Sequence, residues 1–116
     1  MTNLVPRITF QGIDRSPAVE HRVHACIEKL QRISSEIARA DVVVEVPHRH
    51  HRHGRRFHVR IELGLPGRTI VVSHDGGSDA AHEDVYVTVR DAFLAARRQL
   101  EVYVAMAADA ATRVAS

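Results

Sequence analysis

The stretch FHVRIELGLPGRTIVVSH, residues 57–74, decides the fold. Phe57, Val59, Ile61 and Leu63 alternate with His58, Arg60 and Glu62, so a strand starting near Arg56 has one apolar and one polar face. Leu65-Pro66-Gly67-Arg68 then sets proline and glycine where a type II turn wants them. Proline presets a negative φ, and glycine accepts the positive φ of the next position. Residues 68–74 return as a second strand. Upstream, residues 41–47 read as another, with Val42, Val44 and Val46 on one face. These three strands predict an antiparallel meander.

Further upstream, Ser16-Pro17 supplies an N-cap followed by proline at the first helical position. Val19, Val23, Ile27, Leu30 and Ile33 recur at spacings of four and three, which sets one apolar stripe on a helix of about five turns. Arg22, Lys29 and Arg32 fall off that stripe. Before the helix, residues 5–11 alternate, with Ile8 and Phe10 inward and Arg7 and Thr9 outward. Downstream of the meander, residues 75–81 form a connector rich in Gly, Ser and Asp. A final helix is expected from about His82 to Val104, with the stripe Val85/Tyr86, Val89, Phe93, Ala96, Leu100 and Tyr103. Residues 105–116 are alanine-rich without a clear stripe, a tail that extends the helix or frays.

The order is β-α-β-β-β-α. A right-handed crossover makes the first two strands parallel. The expected fold is α+β: a four-stranded mixed sheet with both helices packed on one face. The other face stays wet and includes Arg7, Glu45, Arg56, His58 and Arg60. One domain over residues 1–104 and the tail over 105–116 account for the chain.

Composition narrows the function. At 116 residues and 45% hydrophobic content, one modest core is expected. Tryptophan is absent and aromatics are scarce, which argues against binding by rows of stacked bases. Cys26 is the only cysteine, so neither an intrachain disulfide nor a cysteine-based zinc cluster can form. The N-terminal residues have no signal-peptide run, and no stretch approaches a membrane span. A soluble cytoplasmic protein with no membrane partner is the expectation.

Charge is concentrated in HRHHRHGRRFHVR, residues 48–60, where ten of thirteen residues are histidine or arginine. The block holds five arginines and no acid, while the chain as a whole has 16 Lys+Arg against 14 Asp+Glu. Such a cluster is an electrostatic footprint for a polyanion. Arg49, Arg52, Arg55, Arg56 and Arg60, with His58 beside them, are candidate phosphate contacts. The competing reading is a solvated hairpin loop with no partner. His48, His50, His51 and His53 are candidate metal ligands by residue type. Interleaved arginines repel a cation, however, and no carboxylate lies within the run, so no metal site is assigned. A pH-responsive RNA contact is a further option for these histidines.

The element order, the Ile8-Thr9 strand, the Ser16-Pro17-Ala18 helix start and the last helix together resemble the ribosome hibernation-promoting factors, the ribosome-associated inhibitors historically called sigma modulation proteins. The most specific piece is His82-Glu83-Asp84-Val85-Tyr86, continuing through Val89 and Phe93 to Arg98-Gln99-Leu100. The resemblance spans residues 4–104. It implies a non-enzymatic protein of the short form. Its partners would be the small ribosomal subunit and ribosomal RNA, and it would occlude the channel used by messenger and transfer RNA in idle ribosomes. The sequence departs from the family late in the last helix. Glu101-Val102-Tyr103-Val104-Ala105-Met106 lacks the usual lysines, and Ala95 stands where a lysine is common. The positive charge is instead gathered between the second and third strands.

Arg90, Arg97 and Arg98 remain on the last helix, with Arg90 and Arg97 seven apart and hence on one face. Together with Arg22 and Lys29, and Arg32 beside them, they would extend an RNA-facing strip; ordinary solvated helix faces are the competing reading. The acids in His82-Glu83-Asp84 are explained by the helix dipole and not by catalysis. Tyr86 reads as core with its hydroxyl at the rim, and Cys26 as a small buried hydrophobe. No catalytic constellation and no phosphate-binding glycine loop is present in the sequence. The expectation is therefore no enzyme, no cofactor and no small-molecule substrate. The alternative is a diverged member of the same fold, acting through its histidine-rich loop as a metal-binding or stress-response adaptor.

Overall fold

The computed structural model describes residues 4–46, 57–76 and 85–115. Six elements follow in the expected order: β1 (Arg7–Gln11), α1 (Pro17–Ile33), β2 (Arg39–Glu45), β3 (His58–Leu65), β4 (Arg68–Asp75) and α2 (Val85–Ala115). The sheet order is β1-β2-β3-β4. β1 and β2 pair in parallel across the α1 crossover, and the other neighbours are antiparallel. The mixed sheet and its meander are as expected from the sequence.

Local chemistry explains the boundaries. Ser16 caps α1, its Oγ accepting from the Val19 backbone N–H at 3.2 Å, and Pro17 opens the helix. At the other end the Ser34 N–H donates to the Leu30 carbonyl at 3.1 Å. Gly67 has φ 72, the left-handed value that the second central position of a type II turn requires. β2 starts at Arg39, two residues before the strand expected at Asp41, because Arg39 and Ala40 pair with Gly64 and Leu63. It ends at Glu45, although the Val46 N–H still donates to the Gln11 carbonyl at 2.9 Å. β1 is shorter than expected, and Val5 is exposed.

The core lies between the sheet and the two helices. Val42, Val44, Val59, Ile61, Leu63 and Ile70 point into it from the strands. Val23, Ile27 and Leu30 come from α1, and Val89, Ala96 and Leu100 from α2. Thr88 and Ala92 are also buried, outside the stripe read from the sequence. That broader buried arc arises because α2 packs on β3, β4 and α1 at once. Among the described residues no buried side-chain polar atom lacks a hydrogen-bond partner.

The alanine-rich tail extends α2 to Ala115. Residues 105–113 are exposed, so this part of the helix projects past the core. Its base is tethered by Tyr103, whose hydroxyl donates to the Pro66 carbonyl at 3.1 Å and has Glu36 Oε2 within 3.4 Å as a second acceptor for the same hydrogen.

The turn and the core each have a position where a single substitution isolates one effect. A Cβ at Gly67 would meet nothing within 4 Å, so Gly67→Ala acts through backbone strain alone. It should lower stability by about 1–2 kcal/mol in urea melts, with Gly67→Asn losing less. Ile61→Ala should lose about 2–5 kcal/mol, because Ile61 is fully buried at the centre of the sheet.

Candidate nucleic-acid interface

The site is built on the seam between the two helices. On α1, Arg22, Cys26, Lys29 and Ile33 recur at spacings of four and three, so they share one face. Arg22 lies over the Tyr86 ring, 5.3 Å from its centroid, and so joins the start of α2 to α1. Further along, Cys26, Lys29, Leu30, Arg32 and Ile33 of α1 face Arg90, Phe93, Leu94 and Arg97 of α2 across a groove of about 380 Å³. The helices run side by side in the same direction.

Four cations rim this groove, and no carboxylate is among its lining residues. Arg90 pairs with Asp91 at 3.2 Å and Arg97 with Glu101 at 3.8 Å, both on their own helix. Lys29 and Arg32 make no ion pair among the described residues. The floor is apolar, with Phe93 nearly buried and Leu94 46% exposed. Cys26 is half-buried at this floor, not the fully buried side chain its place beside the stripe suggested. Burial pushes its thiol pKa up, while the charges of Lys29 and Arg22 pull it down.

The opposite surface is different in kind. The open face of the sheet carries Arg7, Arg39 and Arg60 against Asp41, Glu45, Glu62 and Asp75. Arg60 lies 3.8 Å from Glu62, and His58 Nδ1 lies 2.5 Å from Asp75 Oδ1. Arg39 also pairs with Asp41. The face is laced with both signs and leans acidic, so it gives an anion no concentrated positive field.

The candidate RNA contacts therefore fall into groups. Lys29, Arg90 and Arg97 come together at the groove, with Arg32, and Arg22 stands at one end of the seam. Arg98 is exposed on α2 about 100° round from Arg97, toward the outer surface of that helix. His58 and Arg60 sit on the far side of the sheet. Arg49, Arg52, Arg55 and Arg56, the candidate metal ligands His48, His50, His51 and His53, and the His82-Glu83-Asp84 motif lie outside the described residues. Among the described residues no group of three or more His, Cys, Asp or Glu is placed to hold a metal ion. None of the described helices is long and apolar enough to cross a membrane. Leu94 was missed by the sequence reading. Its only signal is an apolar residue off the stripe, flanked by arginines at positions 90 and 97.

A family model described as Sigma 54 modulation protein / S30EA ribosomal protein matches residues 7–105. The chain belongs to this family. Solved structures agree. A ribosomal subunit interface protein from Coxiella burnetii is 28% identical with a TM-score of 0.64, covering 86% of this chain and 97% of that one. The N-terminal domain of Protein Y from Thermus thermophilus is 19% identical with a TM-score of 0.67, covering 88% of this chain and 99% of that one, and shows the shared fold. A comparison with curated proteins gave no match. The family is one of ribosome-associated factors, not a known enzyme class.

The state of Cys26 can be measured directly. Alkylation by iodoacetamide should be slower in the native protein than in urea at the same pH. The midpoint of the native rate's rise with pH should lie above that of the urea-unfolded protein, because burial raises the thiol pKa. Equal rates in both states would place the thiol in open solvent.

Proposed function

We propose that this protein binds the small ribosomal subunit through ribosomal RNA and inhibits translation by occluding the decoding channel, as a hibernation factor. Membership of the family carries the reading, and the cation-rimmed seam between α1 and α2 supports it. The relative from Coxiella burnetii is described as a ribosomal subunit interface protein. Structured RNA is recognised mainly through its backbone and shape, which calls for clustered guanidinium and ammonium groups on a rigid support. Two packed helices provide that support for Lys29, Arg32, Arg90 and Arg97. In this reading Arg22 and Arg98 extend the strip, and the arginines at 49, 52, 55 and 56, between β2 and β3 in sequence, add contacts. Arg60 and His58 contribute less, because Glu62 and Asp75 neutralise them in part. The mechanism is steric and involves no chemical step, and the protein acts in the cytoplasm where ribosomes are.

Co-sedimentation with purified small subunits across a salt series tests the proposal. Stoichiometric pelleting is expected, declining with salt and competed by messenger or transfer RNA. The double substitution Lys29→Ala/Arg97→Ala should weaken pelleting and reduce the salt slope by about two, roughly one for each phosphate that the variant no longer neutralises. Arg60→Ala should have a smaller effect. Absence of pelleting by the wild type at low salt would refute the assignment.

A further inference from the structure

The groove between α1 and α2 has a floor that phosphate binding does not require. Leu94 is 46% exposed and sits between Arg90 and Arg97, each about one turn away. Cys26 and Phe93 continue the apolar surface beneath it. Single exposed apolar side chains are ordinary on a protein surface; Leu94 differs in that it lines a concave groove rimmed by four cations. A ligand with an apolar planar body and flanking negative charge would cover the floor and meet the rim together. Its volume of about 380 Å³ is at the small end of the range for compact ligand sites and is short for a docked helix.

The charges agree with such a ligand. Lys29 and Arg32 on one wall have no ion-pair partner among the described residues. Arg90 and Arg97 on the other wall hold only exposed pairs on their own helix, which are weak and readily exchanged for phosphate. We infer that this groove takes one unstacked base of a single-stranded RNA segment, with the flanking phosphates held by Lys29 and Arg32 on one wall and by Arg90 and Arg97 on the other. This rests on the reading of ribosomal RNA as the partner, and it specifies a looped or bulged nucleotide over a duplex. A single base suits a protein with few aromatics. Aliphatic side chains and guanidinium planes can cover one base, whereas a row of bases needs aromatic platforms.

The test uses the full chain, a labelled tetraribonucleotide and its fully abasic counterpart of equal charge, compared by fluorescence anisotropy. The base-containing strand should bind about tenfold more tightly or better. Leu94→Ser adds no charge at a half-exposed position and should fold normally. It should bring the base-containing strand down to the abasic affinity and leave the abasic strand unchanged. Lys29→Ala should weaken both strands alike. The base-containing strand should also slow alkylation of Cys26 more than the abasic one does, which localises the base to the groove. Equal affinity for the two strands, or an unaltered preference in Leu94→Ser, overturns the inference. So does adenosine monophosphate or an acidic helical peptide binding as tightly as the tetranucleotide. Co-sedimentation run in parallel keeps the two ideas apart. Wild type that pellets with subunits but shows no base preference refutes the groove alone; a base preference without pelleting refutes the ribosomal reading alone.

Discussion

One-sided burial of the sheet is the constraint on which the rest of the molecule depends. Ala40, Val42 and Val44 of β2 lie opposite Leu63, Ile61 and Val59 of β3, and Ile70 and Val72 of β4 continue the same rows. All of them point to one side and are buried. Removing that surface from water is the main favourable term, at roughly 25 cal/mol per Å² of apolar area. Strands about 4.8 Å apart make a four-stranded sheet about 15–20 Å wide. Helices pack at axial separations of about 8–10 Å. Two helices side by side therefore cover such a sheet, and a seam between them is unavoidable.

The seam determines where charge can go. The lower sides of α1 and α2 are committed to the core, so their cations must lie on the seam or on the outer surface. Lys29, Arg32, Arg90 and Arg97 lie along the seam, four like charges around one groove. On the uncovered side of the sheet the alternation that builds the core also fixes the outward residues, and these carry mixed signs with several pairs. The two surfaces are thus electrostatically unlike, although the chain as a whole has a formal charge of only +2. Among the described residues, the concentration of like positive charge lies on the helix layer.

α2 continues to Ala115, and its last turns carry an Arg113–Asp109 pair at 3.1 Å. Tyr103 anchors the point where this extension leaves the body, through its bond to the carbonyl of Pro66 in the β3–β4 turn. The same turn depends on Gly67, so a local backbone requirement also supports the base of the projecting helix.

Much of the fold was legible because its signals are local. The period-two alternation of β3, the Pro66-Gly67 turn, the Ser16-Pro17 cap and the four-three spacing of α1 each involve residues within a few positions of one another. Boundaries were less so: β2 gains Arg39 only because Gly64 lies opposite it. Of the candidate site, the residue types and the shared face of Arg90 and Arg97 could be read from spacing. The amino-acid sequence by itself determined the element order, the inward faces and which helix positions carry positive charge. Only the tertiary structure decided which cations meet, that His58 on the far side of the sheet pairs with Asp75, and that Leu94 and Cys26 share one floor. The physical reason is that these relations depend on the register of α1 against α2 and of β3 against β4. Packing between segments distant in sequence sets both, and neither leaves a periodic trace in the chain.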